Sequence, residues 1–325
     1  MEAFLFAITA VAPIVLTVAL GYFLKCIGII PESITGHLNR IVFRVLLPCN
    51  LFLNVYSITD LGSIGLGYVA YVLGATLAVF LLSIPVALVT TKDGDKRGAL
   101  MQATVRSNYA LIGIPLATSL FGAEGAIVAT VLSAFAIPFF NVLAVITLTV
   151  FSKGGKLNLL RILKGILKNP LILSIALGFA VLGVRALFTQ LDISFRLSDL
   201  TPIYRVASQL SAAATPIALL SLGAQFSFSA VPALRREIIV GVTAKTLVVP
   251  LLTLTVAYLF GCFSGAHFAA FVAIFATPVA VASVPMAQEM GADTRLAGQL
   301  VIFSTLASAI TIFLFSFALK AIGIF

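Results

Sequence analysis

Charge is scarce in this sequence. Asp, Glu, Lys and Arg together make up 10% of its 325 residues, against about 25% in a soluble domain. With 61% apolar residues and a mean hydropathy of +1.18, the chain cannot cover a surface facing water, so lipid must be its solvent. Histidine is limited to His37 and His267, far apart in sequence. The three cysteines, Cys26, Cys49 and Cys262, lie in or beside apolar runs without a CxxC pairing or a histidine neighbour. They read as small apolar residues, and neither a metal site nor a redox motif follows. Walker A, GxSxG and HExxH patterns are all missing. ATP hydrolysis, serine chemistry and zinc chemistry therefore have no support, no enzyme activity is expected, and no cofactor is implied.

What the chain does have is apolar length. About ten helices of roughly 20 residues fit into it, with short loops between them. The spans read as 4–26, 36–57, 64–90, 99–120, 124–151, 170–189, 203–226, 236–260, 267–289 and 296–319. Only Glu2 precedes the first apolar run, which outlasts a secretory signal, so it reads as a span. The net charge of +9 reflects basic residues placed between apolar runs, which set topology rather than bind nucleic acid. With the N-terminus outside, thirteen Lys and Arg fall on inner segments and four (Arg185, Arg196, Arg205 and Lys320) on outer ones. That imbalance is the positive-inside pattern of ten spans with both termini outside, in a bacterial inner membrane. Residues 152–169 carry five Lys or Arg among Leu and Ile, the pattern of a basic amphipathic helix on anionic lipid.

The two halves resemble each other. "LTVALGY" from Leu16 matches "LSIALGF" from Leu173, Pro48 matches Pro216, and Pro115 matches Pro285, in the same order. Five spans is an odd number, so the second half enters the membrane upside down. The expected fold is an all-α membrane protein of ten transmembrane helices, arranged as two inverted five-helix repeats with crossed broken helices 4 and 9. The first repeat covers 1–152, a basic cytoplasmic linker 153–169, and the second repeat 170–325.

Spans four and nine carry the chemistry. The centre of span four holds Arg106, Ser107 and Asn108, then Gly113 and Pro115; that of span nine holds Thr277, Pro278, Ser283 and Pro285. Proline removes a helix donor and displaces the carbonyl four residues back, and Gly113 adds freedom, so both helices are expected to open near mid-membrane. The freed groups must face protein or a wet cavity, and half-helix N-termini there suit an anion. Lys245, at depth in span eight, is a functional candidate: a substrate counter-charge, a cation standing where other carriers place sodium, or a structural lysine paired to a carbonyl. Arg106 either attracts an anion or snorkels to the inner face. Asn50, Asn141 and Ser221 either line the cavity or bond between helices, while Gln225 reads as structural. Glu124 and Glu289 read as solvated carboxylates at span ends.

On these residues the chain resembles the auxin efflux carrier family, which includes the plant carriers and bacterial permeases. "SNYALIGIPL" and "PVAVASVPMAQEMGAD" are similar to its two crossover segments, "IALLSLGAQFS" to its seventh span and "NRIVFRVLLPCNLF" to its second. The resemblance implies a scaffold domain of spans 1, 2, 6 and 7 and a transport domain of spans 3–5 and 8–10 that moves like an elevator. It places Asn108 at the substrate carboxylate. The short middle loop, and Arg106 where the plant carriers have apolar residues, set this chain apart from them. The implied function is secondary active transport or uniport of small carboxylates such as malate, malonate or auxin-like acids. A sodium-coupled symporter of the bile-acid type and a non-transporting sensor of the same fold are the alternatives. Expected partners are the carboxylate, protons, membrane lipid and a second copy of the chain.

Overall fold

A computed structural model describes residues 2–57, 65–151 and 159–325. The expected outer turn at 58–64 and the first part of the linker, 152–158, lie outside the described residues. Among the described residues all regular structure is helical, in fourteen α-helices. They are α1 (Glu2–Cys26), α2 (Glu32–Ile41), α3 (Leu47–Tyr56), α4 (Leu66–Thr90), α5 (Gly94–Val105), α6 (Ile114–Phe151), α7 (Leu159–Leu167), α8 (Pro170–Gln190), α9 (Thr201–Gln225), α10 (Val231–Thr243), α11 (Val249–Phe260), α12 (Gly265–Phe275), α13 (Ser283–Glu289) and α14 (Thr294–Ala321). Seven helical stretches among the described residues are long and apolar enough to cross a membrane. Among the described residues the expected spans are largely helical, with spans four and nine interrupted, and α6 contains a kink at Phe121 and Gly122, where Gly122 takes φ +58°. A left-handed backbone there is open to glycine at no steric cost, so one continuous apolar run turns back on itself.

Three proline positions act alike. Wide π turns occupy Val42–Leu46, Tyr109–Gly113 and Ala244–Val248. Each ends two residues before a proline: Pro48, Pro115 and Pro250. The proline ring has no N–H and crowds the carbonyl four residues back, and a wider turn accommodates both effects without breaking the rod. Expectation and structure part here: Pro115 and Gly113 do not open span four. Gly113 instead permits close packing, since a Cβ there would fall 2.8 Å from the Ala273 carbonyl oxygen on α12. The opening lies earlier, at Arg106–Asn108, where the backbone leaves helical angles.

The helices sort into two groups. α1 packs along α9, and α3 along α8 and α9. Gly21 and Gly223 allow the α1–α9 approach, because an added Cβ would lie 2.3 Å from the Leu220 carbonyl oxygen or 2.0 Å from that of Val18. In the other group α12 packs on α6, α4 and α6 on α5, and α10 on α14. One buried core draws only on this second group, through residues such as Val72, Leu132, Leu254, Phe271 and Ile312. The other core reaches across both groups, joining Leu51, Leu219 and Leu222 to Leu100, Val284 and Leu300. The groups are thus fused toward one end and parted toward the other. Leu16, Leu82, Leu259 and Phe317 point outward, as side chains facing hydrocarbon should. On α7, Leu160, Leu163 and Leu167 share one exposed face beside Lys164, which suits a helix lying at a lipid interface.

Candidate functional site

Two interrupted helices meet in the interior. α5 ends at Val105, and residues 106–108 run extended before the turn that opens at Tyr109. α12 ends at Phe275, and α13 begins at Ser283. The two gaps pair as an antiparallel bridge between Ser107 and Val279, and the Asn108 N–H donates to the Pro278 carbonyl at 2.8 Å. Other freed groups find partners nearby: the Ser107 hydroxyl donates to the Ile274 carbonyl, Thr277 Oγ1 to that of Ala273, and the Val279 N–H to Ser304 Oγ. A broken backbone at depth is affordable only when its polar groups are satisfied in this way. Gly98–Val105 and Phe268–Phe275 are buried on every side, so neither half-helix meets lipid.

A cavity of about 980 Å³ opens beside the crossing. One wall carries Arg106, Asn108, Pro115, Asn141 and Val281; the facing wall, from α1, α3 and α9, carries Thr17, Asn50, Asn54, Ser208, Ser211 and Thr215. Arg106 is 5% exposed. Its guanidinium donates to Asn141 Oδ1 at 3.1 Å and to the Met286 sulfur. It does not snorkel to the inner face. Asn108 is 9% exposed, and its Nδ2 is a buried donor without an acceptor among the described residues. On the opposite wall Asn54 donates to Asn50 Oδ1, and Asn50 to Ser211 Oγ at 3.0 Å.

At the fused end a polar latch closes the gap between the groups. Asn39 Nδ2 donates to Gln288 Oε1 at 2.7 Å, Gln288 Nε2 to the Gly36 carbonyl at 3.0 Å, and Ser221 Oγ to Asn39 Oδ1 at 2.9 Å. Gln225 donates to Ser221 Oγ. Glu289, expected to be a solvated carboxylate at a span end, is shielded instead. Its side chain is 7% exposed and paired with Arg40 at 3.4 Å and Arg44 at 3.1 Å, because α13 folds back against α2. Glu124 is exposed as expected.

The structure therefore brings Arg106, Asn108, Pro115, Asn50 and Asn141 to one cavity and leaves other candidates off its lining. Ser221 belongs to the latch. Lys245, 1% exposed, donates to the Ser107 hydroxyl behind the crossing rather than to a carbonyl. Pro278 supplies the carbonyl that holds Asn108, Gly113 packs on α12, and Ser283 and Pro285 are buried in α13. The first-turn N–H groups of Ser283 and Val284 are taken by the Ala280 and Val281 carbonyls, so α13 offers its start to no ligand through those two groups. Sequence reasoning missed Asn39, Gln288 and Met286. Asn39 and Gln288 are polar residues inside apolar runs, a signal too common to single them out.

Such a cavity offers hydrogen-bond donors and one cation but no carboxylate from its lining, which is the chemistry of holding an anion. The profile of the membrane transport protein family matches residues 6–316. An uncharacterized transporter of Methanothermobacter thermautotrophicus is 24% identical over 313 residues, 95% of this chain and 97% of that protein. An uncharacterized transporter of Methanocaldococcus jannaschii is 27% identical over 221 residues, 66% of this chain and 67% of that protein. Family and relatives are transporters rather than enzymes, and several apolar helices make this a multi-pass membrane protein. The chain belongs to the membrane transport protein family, the auxin efflux carrier family whose crossover motifs its broken helices resemble.

Proposed function

We propose that this protein is a secondary carrier of small organic anions and that a carboxylate binds between Asn108 and Arg106. The observation that carries the reading is an Asn108 Nδ2 without an acceptor among the described residues, on a cavity it shares with a buried guanidinium whose partners among those residues are neutral. A buried donor left without an acceptor is disfavoured by about 1–3 kcal/mol, and a carboxylate oxygen would satisfy it. The second oxygen would face Arg106, whose planar fork matches carboxylate geometry.

The ten-span, inverted-repeat reading has reciprocal packing in its favour. Gly21 of the first span meets Leu220 of the seventh, while Gly178 of the sixth meets Val55 of the second. Such a swap is what an inverted pair of repeats produces. The helix group of α1, α2, α3, α8 and α9 corresponds to a scaffold, and the group holding the crossing to a domain that shifts against it. The cavity opens away from the end that carries Cys26 and the α13 latch. By the positive-inside count that end is cytoplasmic, and the site in this conformation faces out.

A thermal-shift screen of mono- and dicarboxylates on the purified protein tests the binding site. A carboxylate that raises the melting temperature of the parent but not of Asn108→Ala supports it. Equal shifts in both proteins would remove Asn108 from the site.

A further inference from the structure

We infer that Arg106 makes this carrier an anion exchanger: the empty site does not change sides, and one anion crosses only against another. The inference rests on the carrier reading above. Arg106 follows the twelve residues of α5, about 18 Å from the start of that helix, and so lies near the middle of its span. It is buried and borders the cavity. Asn141 Oδ1 and the Met286 sulfur bind it without cancelling its charge. Arg40 and Arg44 pair with Glu289, and Lys96 with Glu237. None reaches the crossing.

A guanidinium keeps its proton at any pH the protein meets, so this charge cannot be shed to ease the passage. With the cavity open, water and dissolved anions reach the wall that holds it. To present the site at the other end, that wall must slide past Ile14, Leu47, Leu51, Ala214, Ala218 and Leu219, all buried and apolar. All six belong to α1, α3 and α9, the helices that face the crossing, and all six line the cavity. An unpaired charge moved from water into such a strip is strongly disfavoured, whereas one paired with a carboxylate is far less so. The anion held by Arg106 and Asn108 completes that pair. The loaded site crosses and the empty one stays, which is exchange rather than uniport.

The test needs no known substrate. In a full-length protein with its three cysteines replaced, Ala280→Cys places a thiol on the cavity wall that moves. The protein is reconstituted in a chloride buffer free of carboxylates, and a membrane-impermeant maleimide is applied to each side in turn. From the latched end the thiol should label slowly in this parent. Arg106→Gln should raise that rate by roughly tenfold or more. Arg106→Met gives the same reading if the glutamine variant fails to fold. Equal labelling from the latched end in the parent and the neutral variants would overturn the inference. Failure of the carrier reading shows separately, as carboxylates that neither shift the melting temperature nor cross the membrane while the labelling contrast persists.

Discussion

At the residue scale, hydrogen-bond donors and cations sit at depths where apolar side chains would be expected. Lys245 is the sharper case after Asn108 and Arg106. It is among the largest fully buried side chains, and its ammonium holds the Ser107 hydroxyl, which in turn holds the Ile274 carbonyl. Lys245→Ala should therefore lower both flux and stability, by on the order of 2 kcal/mol for the void alone. A thermal-shift assay run beside the flux assay reads the two effects; lost flux with unchanged melting would place Lys245 in binding rather than in support. Gly223 is a second residue-scale prediction. An alanine there meets the Val18 carbonyl oxygen at 2.0 Å, and overpacking of this kind costs about 1–3 kcal/mol. Gly223→Ala should lower the melting temperature, whereas alanine at Gly183, which has open space around it, should not.

At the scale of elements, much was legible and the reasons for the rest are particular. The polar triplet Arg106-Ser107-Asn108 and the paired prolines of span nine mark breaks because a polar run at depth has no place in a lipid-facing rod. Sequence could not say that Pro115 leaves its helix intact, since a π turn at Tyr109–Gly113 absorbs the defect. Pro48 and Pro250 repeat that solution. Nor could it show that Lys245 turns to the back of the crossing, because which face a helix presents depends on its neighbours. The latch was invisible for a similar reason: Asn39 and Gln288 meet only when α13 folds against α2. Glu289→Gln should loosen that latch by weakening the pairs to Arg40 and Arg44, which are 59% and 64% exposed. Each exposed pair contributes no more than about 1 kcal/mol. The expected result is a few-fold faster thiol labelling of a cysteine placed at Val284, with binding affinity little changed. Unchanged labelling would mean that the hydrogen bonds of Asn39 alone keep the end shut.

At the scale of the whole molecule, the proposed orientation rests on charge asymmetry and the proposed transport on the parted helix groups. Cys26 and Cys262 are both exposed, and the ten-span reading puts them on opposite sides of the membrane. In intact cells an impermeant maleimide should modify Cys262, while Cys26 should react only after permeabilisation. Both reacting from the same side would break the span count. The resemblance of the two halves was readable as three short matches, whereas their reciprocal packing through Gly21 and Gly178 needed coordinates.

The most direct measurement is uptake of radiolabelled malate, malonate and indole-3-acetate by proteoliposomes preloaded with the same unlabelled acid. Flux of at least one acid in the parent protein, and a loss of tenfold or more in Asn108→Ala with the melting temperature held, is the predicted result. Undiminished flux in the Asn108→Ala protein would contradict a carboxylate site at the crossing of the two broken helices.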